Sequence, residues 1–282
     1  MNSQHNTRNI VSPQSGFSLL ELSVVLIVIG LLTGGVVAGM SIRNNAILRG
    51  ILDDVQKYTR AVDQFREKYN QMPGDMINAT EIWGAADGGT GNTIACYNTD
   101  STGSKATCNG NGDGKIECPI PNAAGDYSNI WYVAERFRSW QHLANAGFVE
   151  GGFSGKTAGA TSDVFSAGVN VPSFGSGDIR GAVNLNEELA KTDASNPDIF
   201  AADRAYPQFS LAFQPNNVPP KILYALDQKV DDGRPGTGNV TSTKSTSSWQ
   251  PGCTTTDIAS TSLYNTTSDA NLCGVIIFKV GK

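Results

Sequence analysis

The order of apolar and polar positions divides this chain near its start. From Leu22 to Val37 nearly every residue is apolar, and only the small residues Ser23, Gly30, Thr33, Gly34 and Gly35 interrupt the run. Beyond it, apolar residues return at alternating steps of four and three: Ile47, Ile51, Val55, Tyr58, Val62, Phe65 and Tyr69. That spacing is one stripe of a helix. The charged residues between Arg43 and Lys68 fall largely off the stripe. The two patterns together predict a single helix from about Phe17 to about Gln71, roughly 80 Å long at the helical rise. Its first half is apolar all round and long enough to cross the roughly 30 Å hydrocarbon core of a bilayer. Its second half is amphipathic and needs a packed domain. Met72-Pro73-Gly74-Asp75 ends it, because proline cannot continue a helix and glycine supplies a turn.

The remaining pattern is weaker. A short helix is predicted around Ala79 to Gly84. Residues 85 to 128 are rich in Gly, Asn, Thr and Asp and read as a stapled surface loop. Asn129 to Ala146 reads as a second helix, with Ile130, Val133, Phe137, Trp140 and Leu143 or Ala144 as its stripe and Gly147 as its C-cap. His142, on this helix, is expected at the surface or its boundary. Val149 to Asn184 reads as weak strands and loops, and Leu185 to Lys191 as a helical turn. Tyr206 to Phe213 alternates as a strand does. Asn217 to Lys229 reads as a helix opened by Pro219-Pro220, burying Ile222, Leu223, Leu226 and Val230. A long loop over 234 to 272 and a closing strand, Gly274 to Val280, complete the chain.

Composition narrows the class. The 282 residues carry a net charge of −5, with 17% charged residues and 31 glycines. This suits one sizeable, loop-rich extracytoplasmic domain plus an anchor. The acidic balance argues against a nucleic-acid partner. His142 is the only histidine outside residues 1 to 16, so no His pair can be built beyond them, and a Ser/His/Asp set is not expected. An enzyme is not expected.

The junction ahead of the apolar run is Gly16-Phe17-Ser18-Leu19-Leu20-Glu21. A lone carboxylate at the head of such a run is costly. In order and spacing, this junction closely resembles the processing site of type IV prepilins and type II secretion pseudopilins. The resemblance covers about the first fifth of the chain. It implies that residues 1–16 are a leader, removed after Gly16 by prepilin peptidase, and that Phe17 becomes the methylated N-terminus. It assigns Glu21 to assembly, pairing with the Phe17 amine of a neighbour. Other pilin or pseudopilin subunits and an inner-membrane assembly machinery are the implied partners. The fold class it implies is α+β, a pilin-like lollipop in which the long helix packs on an antiparallel-sheet head with large loop insertions. Residues 17–40 form the transmembrane and assembly half of the helix, and residues 41–282 the extracytoplasmic head with the amphipathic half. The expected location is the inner membrane as a single pass, then a filament in the periplasm or on the cell surface. The implied function is that of a structural subunit of a type IV pilus or a secretion pseudopilus. The alternative is a minor or membrane-tethered adhesin with a ligand-binding head. A secretory signal cut after Ala38 is the competing reading of the N-terminus. The length of the run, the place of Glu21 and the continuing helical period oppose it.

Five cysteines lie past the anchor, where oxidation is the default. Cys253 and Cys273 stand apart from the others near the C-terminus, where type IV pilins often carry a disulfide-bounded loop, and the resemblance supports their pairing. Cys96, Cys108 and Cys118 offer no choice of pair. Between them, oxygen-bearing side chains alternate at Asn109, Asn111 and Asp113 before Gly114. This is the front half of an EF-hand-type calcium loop, with the carbonyl of Lys115 as the next ligand. Position 12 would be Ile120 instead of glutamate, and a polar turn is the alternative reading. Asp227, Asp231 and Asp232 converge near Gly233, by default as solvated carboxylates at a helix end. Major pseudopilins bind calcium in their C-terminal lobe, so Ca2+ is the one cofactor the resemblance suggests.

Overall fold

The structure is a computed structural model. It describes residues 16–89, 91, 94–114, 116, 135–156, 165–177, 179–186, 209–214, 218–242, 252–256, 261–267, 273–274 and 276–280. By packing the chain forms two units, Met1–Asn45 and Ala46–Lys282.

One helix, α1, runs from Leu19–Tyr69, within two residues of the bounds that the hydrophobic pattern predicts at each end. It stops as its sequence dictates. Asn70 takes a left-handed conformation at φ 53°, a residue type that tolerates it, and the Pro73-Gly74 turn follows.

The second unit is α+β, as expected. The C-terminal half of α1 buries Ile47, Leu48, Ile51, Tyr58, Ala61, Val62 and Phe65 in its core. The short helices α2 (Ala79–Trp83) and α3 (Ile94–Asn98) follow, then α4 (Glu135–Asn145) and, late in the chain, α5 (Pro220–Val230). Strands β1 (Ser173–Ser176), β2 (Ile179–Asn186), β3 (Phe209–Gln214), β4 (Val240–Ser242) and β5 (Ile276–Val280) make one sheet in the order β1-β2-β3-β5-β4, antiparallel throughout. Residues 129–134 of the predicted second helix lie outside the described residues, and α4 supplies the rest.

Two expectations are corrected and one is sharpened. Leu185 does not belong to a helical turn. It lies in β2, buried and paired with Leu211 of β3, so ladder pairing outweighs its local helix preference. Within the predicted weak region, β1 and the start of β2 form a regular antiparallel pair. Val230 is 42% exposed, because it is the last residue of α5 and lies beyond the stripe Ile222, Leu223 and Leu226.

Both outer strands of the sheet are closed by other parts of the chain. On β1, the Gly175 N–H donates to Asp54 Oδ2 at 2.8 Å, and the Tyr58 hydroxyl donates to the Ser173 carbonyl at 2.7 Å. Asp54 and Tyr58 stand one turn apart on α1. One turn earlier, at Gly50, a β-carbon would lie 2.7 Å from Ser176 Cβ, so only glycine lets helix and strand approach this closely. On β4, Val240 N–H donates to Asp231 Oδ2 and Ser242 N–H to the Pro235 carbonyl. Sheet edges left bare would template pairing with other chains.

Candidate functional site

The N-terminal junction is built as a helix start. Ser18 precedes α1, and its hydroxyl accepts the Leu20 N–H at 3.2 Å. Glu21 reaches back, so that the Ser18 N–H donates to its Oε2 at 2.9 Å. This reciprocal pair is a capping box, in which two backbone donors with no partner inside the helix are satisfied by side chains. The spacing Ser-x-x-Glu ahead of an apolar run is its sequence signal, and it was legible in Ser18-Leu19-Leu20-Glu21. Glu21 therefore has a local task in addition to the one implied by the resemblance. A carboxylate offers about four acceptor positions, so the cap does not exhaust it.

From Phe17 to Ile42 the large apolar side chains are exposed, from Val28 at 47% to Phe17 at 89%. The segment is long and apolar enough to cross a membrane. Around Gly30, Gly34, Gly35 and Gly39 an added β-carbon would meet nothing within 4 Å. These small positions are open surface, of the kind that lets apolar helices approach one another closely.

The other sequence candidates fall elsewhere. Cys253 and Cys273 form a disulfide, and Cys96 pairs with Cys108. Cys118 lies outside the described residues, as does Lys115. Asn109 turns its Oδ1 to the Thr80 N–H at the start of α2, and Asn111 Oδ1 accepts the Asp113 N–H. The inside of their turn is filled by the buried carboxylate of Asp75, which accepts the N–H groups of Gly112 at 2.5 Å and Gly114 at 2.8 Å. In this conformation the described part of the turn directs two N–H donors at the Asp75 carboxyl.

The three late aspartates do converge, with carboxylate oxygens within 4.8 Å of one another. Asp227 is not solvated, however. It is fully buried and accepts the Gly233 N–H on Oδ1 and the Tyr264 hydroxyl on Oδ2. Asp231 accepts the N–H groups of Asn239 and Val240, and Asp232 accepts that of Arg234. Burial, with smaller contributions from Asp232 and Asp231, pushes the Asp227 carboxyl up to about 7. The cluster thus ties α5, the following turn, β4 and the Cys253–Cys273 loop together.

His142 is the clearest departure from expectation: it is fully buried. Its Nδ1 accepts the Gly74 N–H, so the ring proton sits on Nε2 and points to Thr107 Oγ1 and the Cys108 carbonyl. Burial first, then the nearby Arg138 charge, hold the imidazole down at about 3. Arg138 is also fully buried. Its Nη2 donates to the carbonyls of Cys96 and Thr99, and its Nη1 to Ser101 and Gln141. Sequence patterning missed both because polar residues on a helix usually mark its wet face. Here α4 is covered on that face by the Cys96–Cys108 loop.

Residues 11–37 match the family model described as the prokaryotic N-terminal methylation motif. This is the prepilin-type cleavage and methylation segment of type IV pilins and pseudopilins. No curated protein and no solved structure matches the chain.

Proposed function

We propose that this chain is a pilin-like structural subunit, cut after Gly16 by prepilin peptidase, methylated at Phe17, and polymerised into a type IV pilus or a type II secretion pseudopilus. The observation that carries the proposal is the conjunction of the matched segment at residues 11–37 with an apolar half-helix whose large side chains are left without cover by the described residues. Before assembly the bilayer supplies that cover, with the head outside the inner membrane. The two disulfides favour an oxidising compartment. In the filament, neighbouring copies of the half-helix replace lipid. Cleavage creates a positive amine at Phe17. In an apolar bundle either that amine or Glu21 alone is costly, on the order of 3 kcal/mol for a lone charge on insertion scales. Pairing the two across subunits offsets that cost at one register only, which makes the pair a device for alignment more than for stability.

The role proposed for α1 is structural. Its test is Glu21→Ala. The variant is expected to be processed and to reach the membrane, yet to be depleted from sheared filaments. Entry of Glu21→Ala into filaments at the level of the unmodified subunit contradicts the pairing. A chain that is abundant in sheared fibres is a main structural subunit, whereas one found at trace level is the minor or tethered binding subunit.

A further inference from the structure

The chain contains two Asn-Gly steps, Asn109-Gly110 and Asn111-Gly112, two residues apart in one turn. Asn-Gly is the dipeptide in which the following backbone nitrogen most readily attacks the asparagine side chain, because glycine offers no β-carbon to obstruct it. The fold treats the two steps oppositely. Both side-chain Oδ1 atoms accept a backbone N–H, so the difference lies elsewhere: Asn109 is buried at 7% exposure, and the Gly110 N–H donates to the Met76 carbonyl at 2.9 Å. A carbonyl cannot remove a proton from that nitrogen. Asn111 and Gly112 are exposed, and the Gly112 N–H donates to a carboxylate, Asp75 Oδ1, at 2.5 Å.

We propose that Asn111 is a site of self-catalysed deamidation in which Asp75 serves as the base. Asp75 takes the Gly112 amide proton, and the nitrogen attacks Asn111 Cγ. The new N–Cγ bond forms, the Cγ–Nδ2 bond breaks, and Nδ2 leaves as ammonia with the proton Asp75 had taken. The succinimide is then opened by water at either carbonyl, giving aspartate or isoaspartate. The balance is one water consumed and one ammonia released, with no oxidant or reductant, and Asp75 is regenerated. Two features suit Asp75 to this part. Its carboxyl is pushed up by burial, which makes it a stronger base than an ordinary aspartate. It is also fixed by a second N–H, from Gly114, so its oxygen stays on the Gly112 side. The solvent exposure of Asn111 supplies the water. The product adds a negative charge close to Asp75, and the isoaspartate form adds an atom to the backbone of the turn. Such a change accumulates with time after folding.

The test is peptide mass spectrometry of the full chain in detergent, aged at neutral pH, beside the same chain kept unfolded in urea. In the unfolded chain both asparagines convert at comparable rates. In the folded chain Asn111 converts and Asn109 does not, and Asp75→Asn slows conversion of Asn111 by about a hundredfold, the lower end of general-base contributions. Asn111 remaining intact in the folded chain while the unfolded chain converts overturns the proposal, as does equal conversion at both steps. An Asp75→Asn chain that keeps or exceeds the original rate at Asn111, including one in which both steps speed up, overturns the role of the base.

Discussion

Gly74 N–H donates to Nδ1 of His142 at 2.9 Å, across the gap between the turn that ends α1 and the face of α4. The approach is close because Gly74 has φ 91° and no side chain. A β-carbon there would lie 2.5 Å from the Glu135 carbonyl oxygen. The bond fixes the imidazole tautomer and commits the ring to the neutral state in the folded head.

A pH dependence follows. Below 6.5 the unfolded chain protonates His142, whereas the folded chain does so only near 3. The folded-state value is the lower of the two, so stability falls as pH drops through this window, by about 1.4 kcal/mol per pH unit. His142→Gln, which keeps an acceptor for Gly74, is expected to remove this contribution and leave whatever slope other groups supply. Thermal melts between pH 4 and 7 check it.

Asp227 works in the opposite direction. Its folded-state value, about 7, lies above the ordinary 3.8. Its contribution is complete below 3.8 and is lost as pH rises through about 7. Between about pH 4 and 6.5 the two slopes offset, so the unmodified chain is expected to be nearly flat there. In His142→Gln stability then falls as pH rises, and in Asp227→Asn it falls as pH drops. A melting series on the two variants separates these outcomes.

How the helix docks on the sheet edge gives a third prediction. Tyr58→Phe leaves the Ser173 carbonyl without its donor and should cost about 1 kcal/mol. Asp54→Ala removes a charged acceptor from Gly175 N–H and should cost about 2 kcal/mol. The double variant bares the outer edge of β1 and is expected to self-associate, read by light scattering of the full chain in detergent.

The cross-links should be unequal in consequence. Each closes a loop of comparable length, 12 and 20 residues, worth about 3 kcal/mol in the chain-entropy account. Losing Cys96–Cys108 also frees the carbonyls that Arg138 holds. Replacing this pair by serine is expected to lower the melting temperature more than replacing Cys253 and Cys273.

The sequence made some of this plain and hid the rest for physical reasons. The stripe from Ile47 to Phe65 exposed α1 because a helix packed on one face must repeat its apolar residues every three or four positions. Leu211 and its neighbours exposed β3 in the same way. His142 and Arg138 stayed hidden because what buries them is a loop held by a disulfide, a contact between distant segments that no local period records. Leu185 misled because a leucine beside glutamates looks helical until its strand partner is known. The capping role of Glu21 was written in the Ser18-to-Glu21 spacing, yet its cost in an apolar run drew the reading towards assembly alone.

The central claim concerns what becomes of the N-terminus, and the first residue of the chain isolated from its native envelope tests it most directly. Intact mass and terminal sequencing are expected to give N-methylated Phe17, with α1 retained. A chain beginning after Ala38, or one still beginning at Met1, contradicts the account.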